Sequence, residues 1–140
     1  MMPTDSQVNS GTRIVGSTDP SNDGPGPQIM AADTLEDEKV VNKAGDSLGK
    51  VRHIMLDVPR GRIAYAVLSF GGVLGVGDRL FAVPWAALQL DVDNKCFILD
   101  VDKETLDQAP GFDKDHWPAM ADPNWATQIH SYYTTPVYWK

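Results

Sequence analysis

Apolar and polar positions divide the chain into three regimes. Residues 1–27 carry few large apolar side chains, and Gly, Pro, Ser, Thr, Asn and Asp fill 20 of those positions. Such a stretch buries too little surface to offset its ordering entropy, which predicts a mostly disordered or irregular arm. Arg13-Ile14-Val15 is the exception, an apolar island able to add to a sheet edge. From Met30 onward apolar residues recur in short runs separated by turn formers. Leu35 to Asp37 lead into a first predicted strand near Lys39–Asn42. Asn42-Lys43-Ala44-Gly45-Asp46 reads as a turn, with Asn and Gly supplying left-handed geometry. A second strand is predicted over Gly49–Val58, with Val51, Ile54, Leu56 and Val58 apolar. Pro59-Arg60-Gly61 reverses the chain into a third strand, Arg62–Phe70, that is apolar on both faces. A strand of that kind is covered on both sides or lies at a crossover in a closed sheet.

The third and fourth strands are separated by four glycines, Gly71, Gly72, Gly75 and Gly77. The fourth strand is predicted over Arg79–Val83, where Pro84 removes a ladder donor. Trp85–Leu88 fits one helical turn, Asp93-Asn94-Lys95 a further turn, and Cys96–Val101 a fifth strand. Five or six short strands at this spacing predict a small barrel or sandwich, and closure removes exposed edges most economically. Beyond them the period changes. Asp102 can cap a helix over Lys103–Gln108, stopped by Pro110 and Gly111. Asp122-Pro123 starts a second helix, through about Tyr133, that puts Trp125, Ile129, Tyr132 and Tyr133 on one face. Pro136 to Trp139 reads as extended.

Composition removes several function classes. A chain of 140 residues is one domain by default. Its single cysteine, Cys96, excludes an intrachain disulfide framework and a multi-cysteine metal site, and reads as a buried inert thiol. The net charge of −7 opposes phosphate backbones, and Arg52, Arg60, Arg62 and Arg79 stand isolated among acidic neighbours, so no nucleic-acid partner is expected. No run of about 18 apolar residues is present to span a membrane. The first residues lack the basic and apolar regions of a secretory signal, so a cytoplasmic location is expected.

Candidate chemistry is sparse. Gly72-Val73-Leu74-Gly75-Val76-Gly77 superficially resembles a phosphate loop, but such a loop needs a helix N-terminus behind it, and here a strand pattern follows. His53 and Asp57 share a strand face about 13 Å apart, too far to hold one ion. His116 and His130 have Asp113, Asp115 and Asp122 nearby in sequence, yet zinc needs three or four converging ligands; they read as surface or packed histidines. Asp91/Asp93 and Asp100/Asp102 read as solvated faces at a hairpin mouth. Ser47, Ser69 and Ser131 lack a nucleophile-elbow context. No catalytic residue, cofactor or metal ligand is assigned, and the chain is not expected to be an enzyme. The last 24 residues hold half of the 12 aromatics: Trp117, Trp125, Tyr132, Tyr133, Tyr138 and Trp139. They either pack back and extend a core, or anchor a partner. The acidic charge opposes a third use, stacking on bases.

The run GDSLGKVRHIMLDVPRGRIAYAVLSFGGVLGVGDRLFAVPWAAL resembles the PRC-barrel domain. Gly45 and Gly49 around Leu48, the Asp57 to Gly61 turn, Gly71, Gly72, Gly75 and Gly77, and Pro84-Trp85 with Ala86, Ala87 and Leu88 carry the resemblance. That domain occurs in the cytoplasmic part of the photosynthetic reaction-centre H subunit and in a ribosome maturation factor. The tail, with HWPAM, HSYY and VYW, looks like a stand-alone bacterial subgroup. The resemblance implies a small, strongly bent β-barrel of five to six antiparallel strands with short C-terminal helices, and no shared catalytic residues. It gives Gly49, the four loop glycines, Pro84 and Trp85 structural roles. No counterpart of the H subunit's membrane helix or of the ribosome factor's second domain is expected here. The organisation expected is an arm over 1–29, a barrel over 30–110 and an aromatic extension over 111–140. The function expected is a non-enzymatic interaction or adaptor module, a homodimer that also meets another protein. The alternative is a small-molecule or metal-binding protein with a pocket between barrel and tail, using His116 or His130.

Overall fold

A computed structural model describes residues 11–16, 29–70 and 79–139. Gly71, Gly72, Gly75 and Gly77, and most of the N-terminal arm, lie outside the described residues. The elements in chain order are β1 (Arg13–Val15), α1 (Ala32–Leu35), β2 (Lys39–Val41), β3 (Ser47–Asp57), β4 (Arg62–Phe70), β5 (Arg79–Pro84), a 3-10 turn (Trp85–Ala87), β6 (Leu88–Asp91), β7 (Cys96–Leu99), α2 (Lys103–Asp107) and α3 (Pro123–Tyr132). The class is mainly β, as expected. Strands β2 to β5, the turn at Trp85 and both C-terminal helices stand within a few residues of their predicted positions.

The sheet corrects the sequence reading in three respects. It has seven strands among the described residues, in the order β1-β6-β7-β2-β3-β4-β5. The strand without a forecast is β6, where Leu88 and Leu90 point inward and Gln89 and Asp91 do not. Two inward residues are too short a period to separate from the helical turn before them. The pairing is also mixed: β1 runs parallel to β6, and β2 parallel to β7, while the other neighbours are antiparallel. Finally, the sheet is not closed, because β1 and β5 form its two ends. The outer edge of β5 is met instead by the tail: Leu80 and Phe112 exchange both backbone hydrogen bonds, at 2.8 and 2.9 Å. Pro84 has no donor to offer a further strand there.

Strand β3 bends so that it can reach both β2 and β4. Its register slips between Val51 and His53 and again between Met55 and Leu56, two bulges in eleven residues. Gly49 holds φ at +96°, and a Cβ there would overlap the carbonyl oxygen of Ser69 on β4. Only glycine permits that backbone approach. The strands enclose a core in which Leu48, Val51, Leu68, Phe81, Phe97 and Leu99 are almost wholly buried. Trp85 meets Phe97 edge-on, centroids 5.7 Å apart, beside the strand end that Pro84 terminates. Thr12 donates from Oγ1 to the Trp85 carbonyl at 2.6 Å, tying the β1 segment to this corner.

The tail covers the far side of β4. Asp102 caps α2 by accepting the Thr105 N–H at 2.7 Å, and Asp122 caps α3 by accepting the Asn124 N–H at 2.9 Å. Helix α3 turns Ala126, Ile129 and His130 inward, with Tyr133 just beyond its end. Tyr65 of β4 packs edge-on against Trp125 and His130, centroids 5.4 and 5.6 Å away. This second layer is the reason β4 is apolar on both faces. Residues 64 to 68 are all buried, with barrel core on one side and tail on the other.

Candidate functional site

The aromatic tail divides into an inner and an outer part. Tyr133 is buried, Trp125, Tyr132, Tyr138 and Trp139 are half-buried, and Trp117 is 39% exposed. Tyr132 donates its phenol hydrogen to the Thr105 carbonyl at 2.5 Å. His130 sits among Tyr65, Tyr138 and Trp139, with Trp139 5.2 Å away, and its Nδ1 meets the Ala126 carbonyl at 2.8 Å. Burial pushes the His130 imidazole below its ordinary pKa. Trp117 leans on His53 of β3 at 5.4 Å and on Phe112 at 4.9 Å, and donates its indole N–H to the Lys114 carbonyl. All six tail aromatics therefore make contacts within the chain, and Trp117 is the most open of them.

The candidate ligands of the alternative reading do not converge. His116 pairs with Asp113 at 2.8 Å in an exposed contact, far in character from the buried His130. Among the described residues no group of three His, Cys, Asp or Glu side chains could hold a metal ion. The spaced carboxylates are engaged in local structure. Asp91 accepts the backbone N–H of Asp93 and Asn94 and the side-chain amide of Asn94, shaping the β6–β7 turn. Asp100 pairs with Lys43 at 3.4 Å, and Asp102 is a helix cap. Cys96 is buried, and desolvation raises its thiol pKa, which keeps it un-ionised.

Between the β3–β4 hairpin and the tail lies an open-sided groove of about 490 Å³. Its floor includes Ala64 and Ala126, whose small side chains leave the space; Tyr65, Tyr138 and Trp139 supply rings, and Met55 and Met120 flexible apolar walls. At its rim Asp57 accepts a short 2.5 Å hydrogen bond from the Tyr138 hydroxyl and a 3.1 Å contact from Arg60 Nη1. The Arg62 guanidinium lies 3.9 Å from the Tyr138 ring centroid, a cation–π contact. The Tyr138 hydrogen bond, with those of Arg60, holds the Asp57 carboxyl below its ordinary value. Burial first, then the bond to Asp57, pushes Tyr138 up to about 12.

The sequence marks Leu56 and Val58 as apolar positions of the second strand without fixing the side they face. They are 64% and 78% exposed. The bulge between Met55 and Leu56 shifts the register just before them, and Val58 already belongs to the turn. Met120 has no motif to announce it, and Asp57 and Arg60 enter the sequence reading only through the turn that carries the family resemblance. The available signal was the short sequence Leu-Asp-Val-Pro-Arg, apolar residues carried onto a turn that has no need of them.

Among the described residues no helix is long and apolar enough to cross a membrane. A family model for the PRC-barrel domain matches residues 27–106. Among solved structures the chain is similar to RimM of Pseudomonas aeruginosa, a protein assigned to 16S ribosomal RNA processing, at 20% identity and a TM-score of 0.38. The match covers 54% of this chain and 45% of that one, so it spans less than half the length of RimM. No curated protein matches the chain.

Proposed function

The chain belongs to the PRC-barrel family, and from that premise we propose that it is a non-enzymatic interaction module that pairs with a second copy of itself. The observation that carries this reading is the hairpin tip. Leu56 and Val58 are large aliphatic side chains, adjacent in space to the groove and mostly open to water. Exposed apolar side chains that adjoin one another and a groove are the kind of surface a partner can cover. A two-fold contact requires only one self-complementary patch, so a single hairpin tip suffices on each copy. The inward packing of Trp125, Tyr132, Tyr133, Tyr138 and Trp139 argues against the tail as the main anchor.

Sedimentation equilibrium of the full chain tests the reading. A dimer mass is expected, falling to monomer in Leu56→Asp/Val58→Asp with the chain still folded. A monomer at every concentration would remove the self-association; a dimer indifferent to the double variant would move it to another surface.

A further inference from the structure

Beyond that reading, we propose that the groove between the β3–β4 hairpin and the C-terminal tail is a binding site for an uncharged aromatic ring compound. The groove's size, about 490 Å³, falls in the range of small-molecule sites, and its lining is mostly apolar with a few polar groups at one rim. Three rings, those of Tyr65, Tyr138 and Trp139, border it. Ring-bearing ligands gain from edge-on and offset contacts with such side chains. Met55 and Met120 add adaptable thioether walls suited to ligands of imperfect fit.

Electrostatics select against a charged ligand. The charged residues that line the groove are Asp57 and Arg60, and they face each other at 3.1 Å. Asp57 accepts in addition from the Tyr138 hydroxyl and the Arg60 backbone N–H. The Tyr138 ring, the natural seat for a ligand cation, already has the Arg62 guanidinium against it at 3.9 Å. A cationic ligand would compete with arginine for both the ring and the carboxylate, and an anionic one would have to separate Arg60 from Asp57. An uncharged ring disturbs neither pairing and displaces only water from apolar walls. Leu56 and Val58 line the same groove, so a second copy seated on the hairpin tip would lie against it.

The test uses N-phenyl-1-naphthylamine, an uncharged fluorescent ring compound, titrated into the full chain. Two variants accompany it: Ala121→Phe, which fills the groove from an exposed position, and Trp139→Ala, which removes a ring. The expected result is saturable one-to-one binding to the wild type, weakened at least about tenfold in both variants. Melting curves must show Ala121→Phe folded as well as the wild type. Absence of saturable binding up to the probe's solubility overturns the proposal. So does binding of equal strength in wild type and Ala121→Phe, which would place the probe elsewhere. Either outcome leaves the self-association reading standing, because the mass measurement does not depend on the probe.

Discussion

At the scale of single residues, two phenols carry opposite consequences. Tyr138 gives its hydroxyl to Asp57, and that bond is the largest influence holding the carboxyl below its ordinary value of 3.8. A carboxylate with a depressed folded-state pKa contributes stability that is present above its unfolded value and lost as pH falls through the folded one. Tyr138→Phe should therefore raise the titration midpoint of Asp57, followed by NMR of its side-chain carboxyl carbon, lower stability at neutral pH and flatten its loss on acidification. An unchanged midpoint would mean that Arg60 alone sets the carboxyl. Tyr133 is the reverse case. Its hydroxyl is buried with no hydrogen-bond partner among the described residues. A buried donor without a partner costs about 1–3 kcal/mol relative to water. Tyr133→Phe should thus leave thermal stability unchanged or raise it by about 1 kcal/mol. A clear loss of stability would show that the hydroxyl has a partner after all.

Elements differ in how far sequence announces them. Helix α3 was legible because cap, proline and apolar face agree: Asp122 accepts from Asn124, Pro123 takes the first position, and Trp125 and Ile129 face inward. Its end is less regular. Thr134 N–H donates to the Ser131 carbonyl at 3.0 Å and Thr135 N–H to that of His130 at 2.9 Å, the paired bonds of a left-handed helix stop. That stop prefers glycine, yet Thr134, a β-branched residue, holds φ at +54°. Thr134→Gly should raise stability by roughly 1 kcal/mol, read as a higher melting temperature. A lower one would mean that the threonine side chain contributes more than its backbone strain removes. Strand β4 was legible as doubly buried, although the cause, a tail layer opposite the core, was not. Strand β6 and the parallel pairings were hidden, since Arg13-Ile14-Val15 meets Gln89-Leu90-Asp91 across more than seventy residues of sequence. The groove was hidden for the same reason. It is built by β3, β4 and the last residues of the chain, and Asp57 meets Tyr138 across a separation of 81.

For the whole molecule, an open mixed sheet is completed by its own C-terminal extension. Phe112 pairs with the edge of β5, α3 covers β4, and Tyr138 fastens the end of the chain to the hairpin. The aromatic residues that drew attention in the sequence are spent mostly on this internal closure. Among the described residues the large apolar side chains left open are Leu56 and Val58 at the hairpin tip, Ile29 ahead of α1, and Trp117, which touches His53 of β3. The central claim is that association uses this tip and leaves the tail as core. Hydrogen–deuterium exchange at low and high protein concentration reads both halves of it at once. The account predicts that amides from Met55 to Arg62 gain protection as concentration rises, while those of α3 are protected equally at both. Protection gained in the tail with the hairpin unaffected would contradict it.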